Sequence, residues 1–379
     1  MEKKKHFFGI SPRIALMLII VGVIPVLLLL FLTFSSIETT FIDTKGKDLS
    51  DVATQTAILT KNYIKNVTLE LSTFTINPAV LNAVDKADKE ALLFSVAKRE
   101  EGRKLNLKWK DLDNNSREVK KVLDTELSQY LRNHLTIRAI YRRLMVLDAI
   151  GRVVAASSKP SKYYFGDENW WKTAINGNLK SYIGKIKFNM DTKTYDFDIA
   201  IPVWSADNEC IGMVRGVVKI DDLLDIVKPI KFGLTGEALI ISEDGTIIAS
   251  RDYTLKDQIT YDYFSELKDK IARTTGEYYV LTNRKNKRKK IVGISKYNLN
   301  DEFPELKWNI LAEQDYSEVI KPVKIIRNGV LFYFLLIIGM VIVLILWFSR
   351  ELTRPFIEKD LSIENGKEEN TIDEDEIVE

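Results

Sequence analysis

The chain has 379 residues, 46% of them hydrophobic and 28% charged, with a formal net charge of +2. That balance argues against nucleic acid as a partner, and a lone cysteine, Cys210, excludes an internal disulfide. The two histidines, His6 and His134, are too few for a His-rich metal site and leave only His134 as a base for a Ser-His-Asp arrangement, so no metal, cofactor or enzyme activity is expected.

The first element in chain order is the charge-free apolar run Ile14 to Phe34. Roughly 20 apolar residues suffice to cross the hydrocarbon core as a helix, and Pro25 is tolerated where neighbours satisfy the freed carbonyl. Lys3, Lys4 and Lys5 also suit a signal peptide. The apolar core is too long for one, however, and no small-x-small cleavage site follows, so the run reads as an uncleaved anchor. A second apolar run spans Val330 to Phe348. Basic residues precede the first (Arg13) and follow the second (Arg350, Arg354, Lys359), which puts both termini in the cytoplasm and the intervening segment outside.

Helical periodicity marks residues 37–75, carried by Ile37, Phe41, Leu49, Val52, Ile58, Leu59, Tyr63, Val67, Leu71 and Phe74, with Asn77-Pro78 as the stop. This is a stalk continuing the first membrane helix. Helices are predicted over Ala79–Glu101 and Ser116–Asn133, separated by a loop at Asp111–Ser116 that supplies a serine or asparagine cap. Asp111, Asp113 and Asn115 lack the glycine and glutamate of a calcium loop.

Strands begin near Ile140. Short apolar runs flank Asp148-Ala-Ile-Gly151, and the pattern returns around Glu243-Asp-Gly245, where Asp-Gly signals a hairpin. Gly151-Arg-Val-Val-Ala-Ala matches Gly245-Thr-Ile-Ile-Ala-Ser. Each hairpin is followed by a helix and three strands: residues 182–188, 194–202 and 209–220 in the first copy, and 276–282, 289–297 and 307–314 in the second. Two copies of one plan imply duplicated α+β domains. Asp196 and Asp198 invite a metal or amine reading, but a 182–188/194–202 hairpin would set Lys187 opposite Asp196 and Lys185 opposite Asp198, and that structural account is favoured. The basic run Arg284–Lys290 reads as a solvated hairpin tip rather than a lipid-phosphate site.

The chain resembles the double Cache family, the tandem PAS-like extracytoplasmic sensors of bacterial chemoreceptors and sensor kinases. The resemblance is carried by Val146-Leu-Asp148-Ala-Ile-Gly-Arg-Val-Val-Ala155, Tyr163-Tyr-Phe-Gly-Asp-Glu-Asn-Trp-Trp171, Tyr182-Ile-Gly184, Ile199-Ala-Ile-Pro202-Val and Ile211-Gly-Met-Val-Arg-Gly216. In the second copy it rests on Gly233-Leu-Thr-Gly236 and Asp244-Gly-Thr-Ile-Ile-Ala249. It implies an α+β fold of two tandem PAS-like Cache domains on a long N-terminal stalk helix, flanked by two transmembrane helices in a bacterial inner membrane. The boundaries are then 1–13 (cytoplasmic stub), 14–34 (first span), 35–136 (stalk and helical segment), 137–228 (membrane-distal Cache domain), 229–328 (membrane-proximal Cache domain), 330–348 (second span) and 349–379 (acidic tail). Ser349-Arg-Glu-Leu-Thr-Arg-Pro355 resembles the opening of a HAMP linker, of which only this remnant is present. The tail is too short for a kinase or cyclase, so a separate cytoplasmic partner is expected.

The resemblance places a small ligand in the membrane-distal domain, against Trp170 and Trp171, whose rings suit an apolar or cationic ligand. Tyr163, Tyr164 and Tyr182 would add hydroxyls, and Asp167 and Glu168 could hold an amine. Competing with this, one tryptophan packs the helix onto the sheet and Asp167 or Asn169 caps it. The amino-acid-binding subfamily has an arginine two residues before the tryptophan and a late aspartate. Here Glu168 and Val217 stand at those positions, so free α-amino acids are not expected as ligands. The reading is a membrane-bound sensor, expected to be a homodimer. The alternative is a module that binds an extracytoplasmic protein, or a receptor that has lost its output domain.

Overall fold

The computed structural model describes residues 19–92, 95–176, 181–189, 194–272, 275–344 and Trp347. The N-terminal stub, the first residues of the first apolar run, the HAMP-like start and the acidic tail lie outside the described residues. One compact unit comprises Met1–Thr44 with Val319–Glu379, and a second comprises Lys45–Glu318.

In the first unit two helices are long and apolar enough to cross a membrane. One begins as a π-helical turn, Ile19–Val23, and continues as α1, Ile24–Thr75. Pro25 lies just past the π-helical turn, inside the continuous helix, where its missing N–H removes one backbone hydrogen bond. The other runs over Lys321–Leu344. Their side chains, Leu29, Phe31, Phe332 and Leu336 among them, are exposed on the surface of the chain.

In the second unit the stalk part of α1 buries Leu49, Ala53, Ala57, Ile64, Val67, Leu71 and Phe74 along one stripe. Four helices follow: α2 (Pro78–Leu92), α3 (Ser95–Trp109), α4 (Arg117–Leu123) and α5 (Glu126–Ile137). The helix expected over Ala79–Glu101 is therefore two helices, and the second runs on past Gly102. Ser116 stands at the N-cap of α4, as expected, but its side chain makes no capping bond; its hydroxyl donates instead to the Asp113 carbonyl at 2.6 Å, closing the turn that Asp113 forms with the Asn115 N–H. The side-chain cap belongs to Thr125, which accepts from the Ser128 N–H at 3.0 Å at the start of α5.

Two antiparallel six-stranded sheets follow. The first contains β1 (Tyr141–Asp148), β2 (Val153–Ala156), β3 (Tyr182–Ile183), β4 (Lys187–Asn189), β5 (Thr194–Trp204) and β6 (Cys210–Lys219), in the order β2-β1-β6-β5-β3 with β4 also on β5. Helix α6 (Asn169–Asn176) lies between β2 and β3 in sequence, and α7 (Asp221–Val227) leads to the second sheet. That sheet contains β7 (Lys231–Phe232), β8 (Gly236–Ser242), β9 (Ile247–Ala249), β10 (Tyr278–Thr282), β11 (Lys289–Ile294) and β12 (Trp308–Asp315). Its order is β10-β11-β12-β8-β7, with β9 on β8 and α8 (Phe264–Ile271) covering one face. Both hairpin glycines adopt positive φ, 91° at Gly151 and 85° at Gly245, a conformation only glycine reaches cheaply. The repeated turn signal is thus one backbone geometry used twice.

Alternation along the strands gives each sheet two apolar faces. One face of each packs toward the stalk in a shared core that includes Leu144, Val146, Ile199, Val214, Ile240 and Ile310. The opposite faces carry separate clusters, one around Trp109, Met145, Trp170 and Met213, the other around Leu239, Leu281, Val292 and Leu311. The two sheet domains meet where Phe197 packs edge-on against Trp308, with centroids 6.4 Å apart.

The stalk is also pinned by charge. Glu302 receives Lys65 at 2.6 Å, Lys61 at 3.0 Å and the Tyr297 hydroxyl at 2.6 Å. Partial burial works against ionisation, but the hydrogen bonds from Lys65, Tyr297 and Lys61 prevail and hold the carboxyl at about 2, below its ordinary 4.5. A depressed carboxylate contributes stability above its unfolded value and loses it as pH falls through the folded one. Melting temperature should therefore decline as pH drops from 4.5 toward 2, and combining Lys61→Met with Lys65→Met should flatten that acid limb. A limb unchanged in the double variant would assign the loss to other carboxylates.

Candidate functional site

The face of the first sheet opposite the stalk is built from alternate residues of β5 and β6. Met213, Arg215 and Val217 on β6 and Asp198 and Ala200 on β5 point the same way. Helix α6 lays Trp170 and Trp171 onto that face, only 6% and 4% exposed, with their rings edge-to-face at 5.8 Å. Trp109 closes the cluster from α3. Its ring lies 5.3 Å from that of Tyr163, and its indole N–H donates to the Pro160 carbonyl at 2.8 Å.

Into this apolar setting β6 inserts the Arg215 guanidinium. Its carbon sits 4.4 Å from the Trp170 ring centroid and 4.9 Å from that of Phe165, within cation–π range. Nη2 pairs with Asp198 at 2.8 Å and Nε donates to the same carboxylate at 3.2 Å. Lys187 approaches Asp198 to 3.7 Å. Arg215 is 9% exposed, and its Nη1 is buried with no hydrogen-bond partner among the described residues. Tyr182 lies 6.2 Å from Trp170, and burial, followed by the charges of Glu305 and Asp198, pushes its phenol up against the opposing pull of Arg215.

Of the residues expected at the site, the fold gathers Trp170, Trp171, Tyr163 and Tyr182 into one cluster. Tyr164, Asp167 and Glu168 fall outside it. Asp167 is held bidentately by Arg103 of α3, 2.8 Å on each oxygen, and this pair holds its carboxyl below the usual range. Glu168 pairs with Lys162, and the Tyr164 ring packs on Gly102 of α3.

The cross-strand pairs also need correction. Lys187 does face Asp196 in register, yet the Asp196 carboxylate is gripped by Arg142 Nε at 2.9 Å. Lys185 does not reach the place opposite Asp198. Ile183 pairs with Ile199 and Lys187 with Asp196, so one extra residue bulges out between them, and the Gly184 N–H donates to the Asp198 carbonyl at 2.7 Å. Arg215, which holds Asp198 instead, was missed. Its signal is an arginine at an inward position of the otherwise apolar run Ile211–Val218.

The Cache domain family model matches residues 35–323. Among solved structures, the chain is similar to the ligand-binding domain of the Pseudomonas fluorescens chemoreceptor CtaA in complex with L-isoleucine. The two are 14% identical, with a TM-score of 0.45, over 77% of this chain and 99% of that one. It is also similar to the ligand-binding domain of the Pseudomonas aeruginosa amino acid chemoreceptor PctB in complex with L-Arg (14% identity, TM-score 0.39, 72% and 94% covered). A third is the sensory domain of the Campylobacter jejuni chemoreceptor Tlp3 (12% identity, TM-score 0.41, 69% and 98% covered). No curated protein matches. With the duplicated sheets, the stalk and a family match that runs from residue 35 to residue 323, this chain belongs to the Cache domain family.

Proposed function

We propose that the chain is a membrane-bound extracytoplasmic sensor that binds a small molecule in the first sheet domain. The signal then passes along the stalk and the apolar helices to a separate cytoplasmic partner. Membership of the Cache family supports the sensor reading, and the observation that carries the site is the unpartnered Nη1 of Arg215 beneath Trp170. A buried donor without an acceptor costs about 1–3 kcal/mol, so a ligand oxygen placed there recovers that cost. Trp170, Trp171, Tyr163 and Tyr182 would enclose its apolar part. The activity is binding, with no catalytic step. Asp198 already occupies Nε and Nη2 of Arg215, so a bidentate grip on an α-carboxylate would break that pair. Free α-amino acids are therefore not the proposed ligand, and micromolar binding of any common one in calorimetry would sink that part of the reading.

A thermal-shift screen of the full chain in nanodiscs against oxygen-bearing metabolites tests the site. A ligand at about 100 times its dissociation constant stabilises the fold by roughly 2.7 kcal/mol. The expected hit disappears with Trp170→Ala and weakens with Arg215→Lys, which cannot present the same fork. A hit indifferent to both would place the ligand elsewhere. The near-complete burial of Trp170 and Trp171 favours a second reading, in which they are plain core and the ectodomain binds an extracytoplasmic protein. A blank screen followed by a specific cross-linked partner would favour that alternative.

A further inference from the structure

The second sheet domain carries a cavity of about 410 Å³ away from the aromatic cluster of the first. Its floor is charged. Glu237 on β8 and Glu313 on β12 are direct cross-strand partners, and like charges placed opposite each other destabilise a sheet. Glu313, 3% exposed, is well satisfied, because Lys290 pairs with it and the Tyr261 hydroxyl donates to it. Glu237 is not satisfied in this way. The guanidinium of the neighbouring Arg251 pairs with Asp252 at 3.0 Å, and among the described residues Glu237 receives only the Arg251 backbone N–H, at 3.2 Å. Burial and then the Glu313 charge push its carboxyl above the usual range. Asp252, Asp262 and Asp315 line the same cavity, against Arg251, Arg288 and Lys290. Five carboxylates thus face three cations, and the lining carries excess negative charge.

The fold does not require these acids. The two hairpins put Met145 in the place of Leu239, and Met145 faces Arg215 as Leu239 faces Leu311. Two residues outward along the same face the first domain has Arg143 opposite Val217, where the second has Glu237 opposite Glu313. The same backbone therefore closes without a carboxylate pair.

We infer that this cavity is a second ligand site and that its ligand is a small organic cation bearing a primary ammonium group. The ammonium gives Glu237 the donor it lacks, relieves the repulsion between Glu237 and Glu313, and draws on Asp315. The exposed Tyr253 ring flanks its carbon chain. The volume is near the lower end of small-molecule pockets, which excludes large ligands.

Calorimetry on the full chain in nanodiscs tests this with putrescine and ethylamine as probes and with butanediol and succinate as neutral and anionic counterparts. The expected result is saturable binding of at least one amine, with neither counterpart binding. Glu237→Gln keeps the side-chain shape and should weaken the amine roughly tenfold or more. Asp315→Asn should weaken it less and keep the parent melting temperature, and Glu237→Gln, which removes the repulsion from Glu313, should melt no lower than the parent. The inference is overturned if neither amine binds at about 10 mM, if succinate binds in their place, or if amine affinity survives both substitutions.

Discussion

Trp109→Ala should cost roughly 3–5 kcal/mol of stability, the range for deleting a large buried aromatic. Trp109 is fully buried and is among the largest side chains with no exposure at all. It packs with Val119, Val122, Phe165 and the two α6 tryptophans, so its loss opens a cavity bordered by three separate helices and the sheet. The substitution also strands the Pro160 carbonyl, which accepts the indole N–H at 2.8 Å. The surrounding groups are held by different elements and cannot collapse together, which puts the expected cost toward the upper end. Urea unfolding followed by circular dichroism would measure it. A loss below about 1 kcal/mol would mean that α3 contributes little to holding the first sheet domain.

Asp198→Ala should be comparably damaging, at about 3–5 kcal/mol, because it leaves the Arg215 cation buried without its counter-ion. Adding Arg215→Met should restore most of the loss, since an apolar side chain of similar length suits the Trp170 and Phe165 rings better than a lone charge. The four-member mutant cycle reads the coupling directly. Additive effects would show that the two groups do not sustain each other. The double variant also lacks the Nη1 donor, so a stable double variant separates binding from folding. It should melt like the parent and fail to bind a ligand that the parent binds.

Local signals carried much of the architecture. The stalk helix was legible because its apolar residues recur at helical spacing over more than ten turns, and the two hairpins because each places a glycine where φ must be positive. The helix expected to end at Glu101 runs on through Gly102, and there the Tyr164 ring lies 3.0 Å from where a Cβ would stand. That glycine answers a packing need set far away in sequence. The same holds at the candidate site. Trp170, Trp171, Tyr163 and Tyr182 were visible as neighbouring aromatics. The partnership of Arg215 with Asp198 depends on how β6 registers against β5, and on a one-residue bulge between Ile183 and Lys187 that alternation alone does not betray. Asp167 looked like a helix cap because the sequence cannot show that Arg103, from a different helix, reaches it first.

The stalk helix touches both sheet domains by hydrogen bonds from its own length. Ser50 donates to the Ile294 carbonyl of the second at 2.8 Å, and the Val67 carbonyl accepts from Tyr141 of the first at 3.2 Å. At 1.5 Å per residue these contacts lie about 25 Å apart on one unbroken helix. They act as two bearings on a single shaft. If one bearing moves sideways by about 1 Å while the other stays put, the shaft turns by about 2°. Neither domain can then shift across the helix without loading the seat of the other, so tightening one bearing stiffens the response to movement at its neighbour.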